Sequence, residues 1–164
     1  MIPSIALLAL VTLQRLGELV LARRNTRRLL AKGAVEASPG HYPLIVALHA
    51  AWLGGLWLLG WDRPLQPLWL GLFLLLQAGR FWVLATLGER WTTRIIVLPG
   101  EPLVRRGPYR LIAHPNYVIV AGEMLTLPLA FGLLAYGIVF SALNAAILWI
   151  RIRAEQAALR GAPS

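Results

Sequence analysis

The sequence predicts an all-α, polytopic integral membrane protein with five transmembrane helices, its N-terminus outside and its C-terminus in the cytoplasm. Composition points there first. Of 164 residues, 58% are hydrophobic and only 14% are charged, with a mean hydropathy of +0.65, whereas a soluble domain carries roughly 25% charged residues. Spacing is the second observation. A hydrocarbon core about 30 Å thick takes roughly 20 apolar residues of helix, and stretches of about that length fall at 2–22, 42–61, 68–87, 117–134 and 135–150. The third is charge asymmetry. The formal charge of +9 is concentrated in two polar segments, 23–40 and 88–116, and in the tail, whereas the turn at 61–67 has only Asp62 and Arg63 and the turn at 131–137 has none. Basic loops stay cytoplasmic, and five spans satisfy that rule.

The first stretch, 2–22, has no basic region ahead of it, and its first charges fall within the apolar run, so it reads as a span and not as a cleavable signal peptide. Gln14, Arg15 and Glu18 lie three and four residues apart on one helical stripe. An Arg15–Glu18 pair holding this span against its neighbours is the favoured reading, because charge at membrane depth costs at least about 2.5–3.5 kcal/mol. On the second stretch, 42–61, His49 stands alone on an apolar helix and reads as a packed, hydrogen-bonded histidine. The third, 68–87, repeats the polar pattern with Gln77 and Arg80. Arg80 lies toward the cytoplasmic end, where it can snorkel to water or bind a ligand anion. On the fourth stretch, 117–134, Glu123 has no local base, so its partner must come from another helix or a cation. The fifth, 135–150, is expected to run on as an amphipathic helix over 150–160. Asn144, Arg151 and Glu155, seven and four residues apart, share one of its faces. That face reads equally as a solvated Arg151–Glu155 pair or as the wall of a cytoplasmic pocket. Trp61, Trp69, Trp91 and Trp149 fall near span ends, as an aromatic belt would place them.

Several function classes are excluded. Membrane orientation accounts for the basic excess, 15 of whose 16 residues are arginine, without nucleic acid. There is no cysteine, hence no disulfide framework, thiolate nucleophile or cysteine metal site. Three scattered histidines suggest no metal centre. Phosphate-loop, dinucleotide, zincin and hydrolase-elbow motifs are missing. With no repeat, an inverted-repeat transporter is disfavoured.

The informative stretch is the run from Leu103 to Tyr117, LVRRGPYRLIAHPNY. Pro115 suits the first turn of a helix, where its missing N–H is harmless, and this sets His114 at a helix N-terminus. Free N–H groups there suit an anion, and tyrosine faces suit a cation or a purine. A ligand with a carboxylate, a purine and a positive centre matches this mixture, and S-adenosylmethionine is one.

Gly107-x-Tyr109, then His114-Pro115-Asn116-Tyr117, an apolar span pair, and Arg151-x-Arg153-x-Glu155-x-x-x-Leu159 together resemble the isoprenylcysteine carboxyl methyltransferase family, in its short bacterial branch. The resemblance covers nearly the whole chain and includes Arg15-Leu16-Gly17-Glu18-Leu19 and Trp91-Thr92-Thr93-Arg94-Ile95-Ile96. It implies a methyltransferase of the bacterial cytoplasmic membrane, using S-adenosylmethionine at a site facing the cytoplasm, with a lipophilic acceptor entering from the bilayer. Carried over by position, it implies that Gly107, Tyr109, His114, Pro115, Asn116 and Tyr117 cradle the cofactor and Glu155 closes it. Arg151, Glu155 and Glu123 become the catalytic candidates, and Asn144 and Arg80 line the acceptor side. The chain departs from the family pattern in having Ala113 before His114 and Gln156 after Glu155. The acceptor expected is an isoprenylcysteine-type carboxylate, or an acid or enol on a membrane lipid or polyketide. A phospholipid-headgroup N-methyltransferase and a non-enzymatic membrane protein are the alternatives.

Overall fold

The computed structural model describes residues 1–102 and 104–161; Leu103 and the side chains of Leu159 and Arg160 lie outside the described residues. Five α-helices dominate, α1 (Ile2–Ala31), α2 (Tyr42–Gly60), α3 (Pro67–Leu87), α4 (Pro115–Ala130) and α5 (Leu134–Gly161). A two-stranded antiparallel ribbon, β1 (Val35–Glu36) with β2 (Ile96–Val97), ties the segment after α1 to the segment after α3. Arg94 on Glu36, at 2.9 Å, reinforces it.

Among the described residues, four helices are long and apolar enough to cross a membrane. The exception is α4, whose 16 residues span only about 24 Å, so the expected fourth span over 117–134 is corrected to a shorter helix that begins at Pro115. It is also the most enclosed helix, packed mainly on α3 and α5. Its far end is set by sequence: Gly132 takes a positive φ of 69°, Leu133 N–H bonds Pro128 O and Gly132 N–H bonds Leu129 O, a Schellman cap. One other boundary moves. The first helix runs past residue 22 to Ala31, because its arginines are good helix formers and the first break is Gly33, at φ 90° in a second Schellman cap. The fifth span and the amphipathic segment are one continuous helix to Gly161, since no proline or glycine interrupts them after Gly137.

The outward faces of the long helices carry exposed Leu, Val and Phe side chains such as Leu13, Val20, Leu58, Leu75 and Phe81, the surface a lipid environment takes up without penalty. Inside are two apolar clusters. One, centred on Leu8, Trp52, Leu56, Phe73, Leu127 and Phe131, fills the end where α2 turns into α3. The other, around Ala22, Val83, Trp91 and Ile119, lies toward the loops. Close approach of α3 and α4 depends on small residues. A Cβ on Gly122 would meet Leu76 at 2.8 Å, and one on Gly79 would meet Ile119 at 3.4 Å.

Between the clusters lies a buried ionic layer that brings three helices together. Arg80 on α3 donates to both carboxylate oxygens of Glu18 on α1, at 2.6 and 2.7 Å, and to Glu123 on α4, at 2.8 Å. Arg15 bonds Glu123 at 2.7 Å and Glu18 at 3.2 Å. Gln14 donates to Gln77 and Gln77 to Glu123, at 2.7 and 2.6 Å. Two cations meet two anions, so the layer is neutral. Arg80 does not snorkel; it is 6% exposed and held by carboxylates.

Candidate functional site

The site is built where the loop ends of α1, α3, α4 and α5 converge. Beyond α3, Arg106 donates to Thr86 O at 3.2 Å, and a short 3-10 turn, Gly107–Arg110, packs against the end of that helix. Gly107 has φ 57°, and a Cβ there would lie 2.5 Å from Thr86 Oγ1. Its job in the structure is therefore this close approach, which aims Tyr109. His114 caps α4 and Pro115 occupies its first turn, as the sequence suggests. The His114 and Tyr117 rings stack, with centroids 5.1 Å apart.

The C-terminal part of α5 faces this turn. Arg151 Nε donates to Tyr117 Oη at 2.9 Å, and Tyr117 in turn donates to Glu155 Oε2 at 2.5 Å. Glu155 Oε2 also lies 3.8 Å from His114 Nδ1. Arg151 and Glu155, one turn apart, are thus joined through a phenol from α4, and they form a pocket wall instead of a solvated pair. They line a cavity of about 480 Å³ together with Tyr109, His114, Asn116 and Tyr117, within the size range of small-molecule sites. Burial, and then the charge of Glu155, raises the Tyr109 phenol to about 12, so it is a neutral hydroxyl at any physiological pH.

Six of the residues singled out in the sequence, Tyr109, His114, Asn116, Tyr117, Arg151 and Glu155, meet at this cavity. Gly107 and Pro115 shape its loop without lining it. Asn144 lies two turns deeper on the same face of α5, buried, with its Nδ2 lacking a partner. Glu123 and Arg80 correct the expectation of a shared site. They belong to the ionic layer, because the six residues from Tyr117 to Glu123 turn the two side chains to different faces of α4. His49 bonds Ile45 O at 2.8 Å, the packed histidine expected.

One contributor escaped sequence reasoning. Trp91 is not a belt residue. It is 3% exposed, packs with Ala22, Val83 and Ile119, and lines the cavity. Asn25 on α1 fixes its backbone, donating to Trp91 O at 2.9 Å and Gly88 O at 3.1 Å. The only local signal was the Trp91-Thr92-Thr93-Arg94 run.

The model of the isoprenylcysteine carboxyl methyltransferase (ICMT) family matches residues 69–161, the segment that supplies every cavity residue named above. The YpbQ protein of Bacillus subtilis is 38% identical over 94% of this chain and 95% of its own length. The chain belongs to the isoprenylcysteine carboxyl methyltransferase family. A Haemophilus influenzae protein is 25% identical over 88% of each chain. No solved structure matches this chain. Membership identifies an integral membrane methyltransferase, and within it the family match begins at α3 and leaves out α1, although Leu29 of α1 lines the cavity.

Proposed function

We propose that this member is an S-adenosylmethionine-dependent O-methyltransferase that modifies an acidic or enolic oxygen of a lipophilic acceptor at the cytoplasmic face of a bacterial membrane. The Arg151–Tyr117–Glu155 chain on the cavity wall carries this reading. A guanidinium and a carboxylate held one turn apart on one helix suit a reaction that brings an anionic oxygen to a cationic donor. In this reading all five helices cross the bilayer, α4 doing so inside its neighbours, and the basic loops lie inside the cell.

The residues present fit the cofactor. Glu155, with the faces of His114, Tyr117 and Tyr109, suits a positively charged centre. Trp91, from the loop after α3, and Asn116, from the first turn of α4, complete the same lining. When bound, the cofactor supplies an electrophilic methyl on a sulfonium. The chain's own work is positioning and exclusion of water, the main demands of an in-line displacement. Arg151 orients the acceptor oxygen and neutralises its charge. Tyr117 fixes the Arg151 side chain by accepting from Nε. Glu155, tied by the same hydroxyl, holds the cofactor side. A carboxylate acceptor is already ionised. An enol gives its proton to His114 or Glu155, the two groups that meet at Tyr117 on the cavity wall.

Membranes containing the protein, incubated with methyl-labelled S-adenosylmethionine, are expected to yield a labelled lipid that is either a base-labile methyl ester or an acid-labile methyl enol ether. Label on a headgroup nitrogen would overturn the O-methyl reading.

A further inference from the structure

α3 and α4 run antiparallel and are level at one end, where Gln66 N–H, just ahead of α3, donates to O of Ala130, the last residue of α4, at 2.8 Å. Their flanks keep that register, with Leu76 beside Gly122 and Gly79 beside Ile119. At the loop end they are not level. α3 has 21 residues and α4 has 16, a difference of about 7.5 Å. α3 is about as long as a hydrocarbon core is thick, roughly 30 Å. The first turn of α4 therefore starts below the loop-side surface of the membrane, at the depth of Phe81 and Trp82, both exposed on α3. The chain from Gly107, which packs on Thr86 at the end of α3, descends that distance to reach Pro115.

What lies on this descent is apolar. Leu111 and Ile112 are 78% and 47% exposed, adjacent to each other in a segment otherwise rich in arginine. Val118, one turn into α4 and also exposed, continues their surface toward the lipid-facing sides of the long helices. The backbone at the tip is closed on itself: Leu111 N–H and Ile112 N–H both bond Pro108 O at 3.1 Å, and Tyr109 N–H bonds Arg106 O at 3.2 Å. Hydrocarbon offers no water to an unpaired N–H, so a turn at membrane depth requires such internal pairing. Arg110, exposed just ahead of the tip, is long enough to carry its guanidinium up to the headgroups.

We propose that Leu111 and Ile112 form a lipid-immersed tip, set among the acyl chains of the loop-side leaflet, which anchors from the membrane the loop that carries Tyr109 ahead of it and His114 behind it. The partner is the hydrocarbon of the bilayer, selected by depth and apolarity and not by a headgroup. The proposal needs the membrane character of the family and neither methyl donor nor acceptor.

The chain has no cysteine, so Leu111→Cys can carry a single nitroxide, with Asp62→Cys, in the exposed turn between α2 and α3, as the aqueous control. In vesicles of phosphatidylcholine and phosphatidylglycerol, spin relaxation compares collisions with oxygen, which concentrates in hydrocarbon, and with a water-soluble nickel chelate present on both sides. The oxygen-to-nickel ratio is expected to be several-fold higher at 111 than at 62. Equal ratios would put the tip in water and overturn the proposal. Loss of both collisions at 111, or dipolar broadening between labels on different copies, would mean that protein covers the tip and would overturn it as well. The Leu111→Gln, Ile112→Gln double variant removes the anchor without touching either apolar cluster. Amide exchange at residues 111 and 112 in the same vesicles should rise several-fold, with α3 exchanging as in the wild type; unchanged exchange at the tip would overturn the anchoring. None of these measurements uses cofactor or acceptor, so their failure leaves the methyl-transfer reading standing.

Discussion

Arg151 sits at the junction of the site because a single nitrogen, its Nε, is committed to Tyr117 and leaves the rest of the guanidinium for an acceptor. Arg151→Ala is therefore expected to lower turnover by about 10²–10³-fold, the usual loss when one preorganised charge stabiliser is removed, while S-adenosylmethionine binding measured by calorimetry stays near wild type. Full activity in that variant would remove Arg151 from the reaction. Gly107 gives a different prediction, one of stability. A side chain there must take a positive φ and push into Thr86, so Gly107→Ala should cost about 1–3 kcal/mol in a detergent unfolding titration. Adding Thr86→Ala should recover only the steric part. Tyr109 gives a pH dependence. Its phenol is raised from 10.0 to about 12, mainly by burial, so the folded protein resists its ionisation. Stability from this group is complete below pH 10 and falls as pH rises toward 12. Phenolate absorbance followed with alkali should show one fewer late-ionising tyrosine in Tyr109→Phe than in the wild type. Much of this was visible in the chain itself. The 151/155 spacing and the His114-Pro115 junction are local, and local geometry fixes which helix face a residue takes. Trp91 was not visible, because its burial depends on Ala22 and Ile119 closing over it, contacts between helices that no periodicity encodes.

The helix α1 is held in an unusual way. Besides Leu8, Val11 and Ala22 in the two apolar clusters, its link to α3 and α4 runs through polar groups: Gln14, Arg15 and Glu18 in the ionic layer, and Asn25 on the turn after α3. Arg28 and Lys32 add exposed contacts to Glu89, which contribute little. Asn25→Ala should therefore do more harm than its size suggests. It leaves the buried Trp91 carbonyl short of a donor, at about 1–3 kcal/mol, and loosens Trp91. The expected signature is increased hydrogen exchange at residues 88–91 together with weaker cofactor binding; wild-type exchange there would argue against the role. The sequence showed that Arg15 and Glu18 pair along one helix. It did not show that Arg80 and Glu123 complete a ring, since their partners lie 62 and 108 residues away. The extended α1 and truncated α4 were misjudged, because hydropathy reports where lipid contact ends, and a helix continues until glycine or proline stops it.

As a bundle, the protein is stratified: apolar cluster, neutral ionic layer, apolar cluster, then cavity. The layer's electroneutrality makes it sensitive to loss of one member. Glu123→Gln leaves Arg15 and Arg80 facing one carboxylate and should destabilise the fold by about 3–5 kcal/mol, seen as a lower unfolding midpoint in detergent. An apolar replacement of all four charges by side chains of matching volume should be far milder. If Glu123→Gln is neutral, the layer is not what binds α1.

The same ring of charges dictates an order of biogenesis. When α1 first leaves the translocon it carries Arg15 and Glu18 into lipid with only each other for company, at a penalty of about 2.5–3.5 kcal/mol per charge at mid-membrane. Arg80 arrives with α3 and Glu123 only with α4, so the first helix stays provisional until most of the chain has been made. A nascent chain interrupted before α4 would hold one cation too many in the bilayer, a mark by which membrane proteases can tell an unfinished molecule from a finished one.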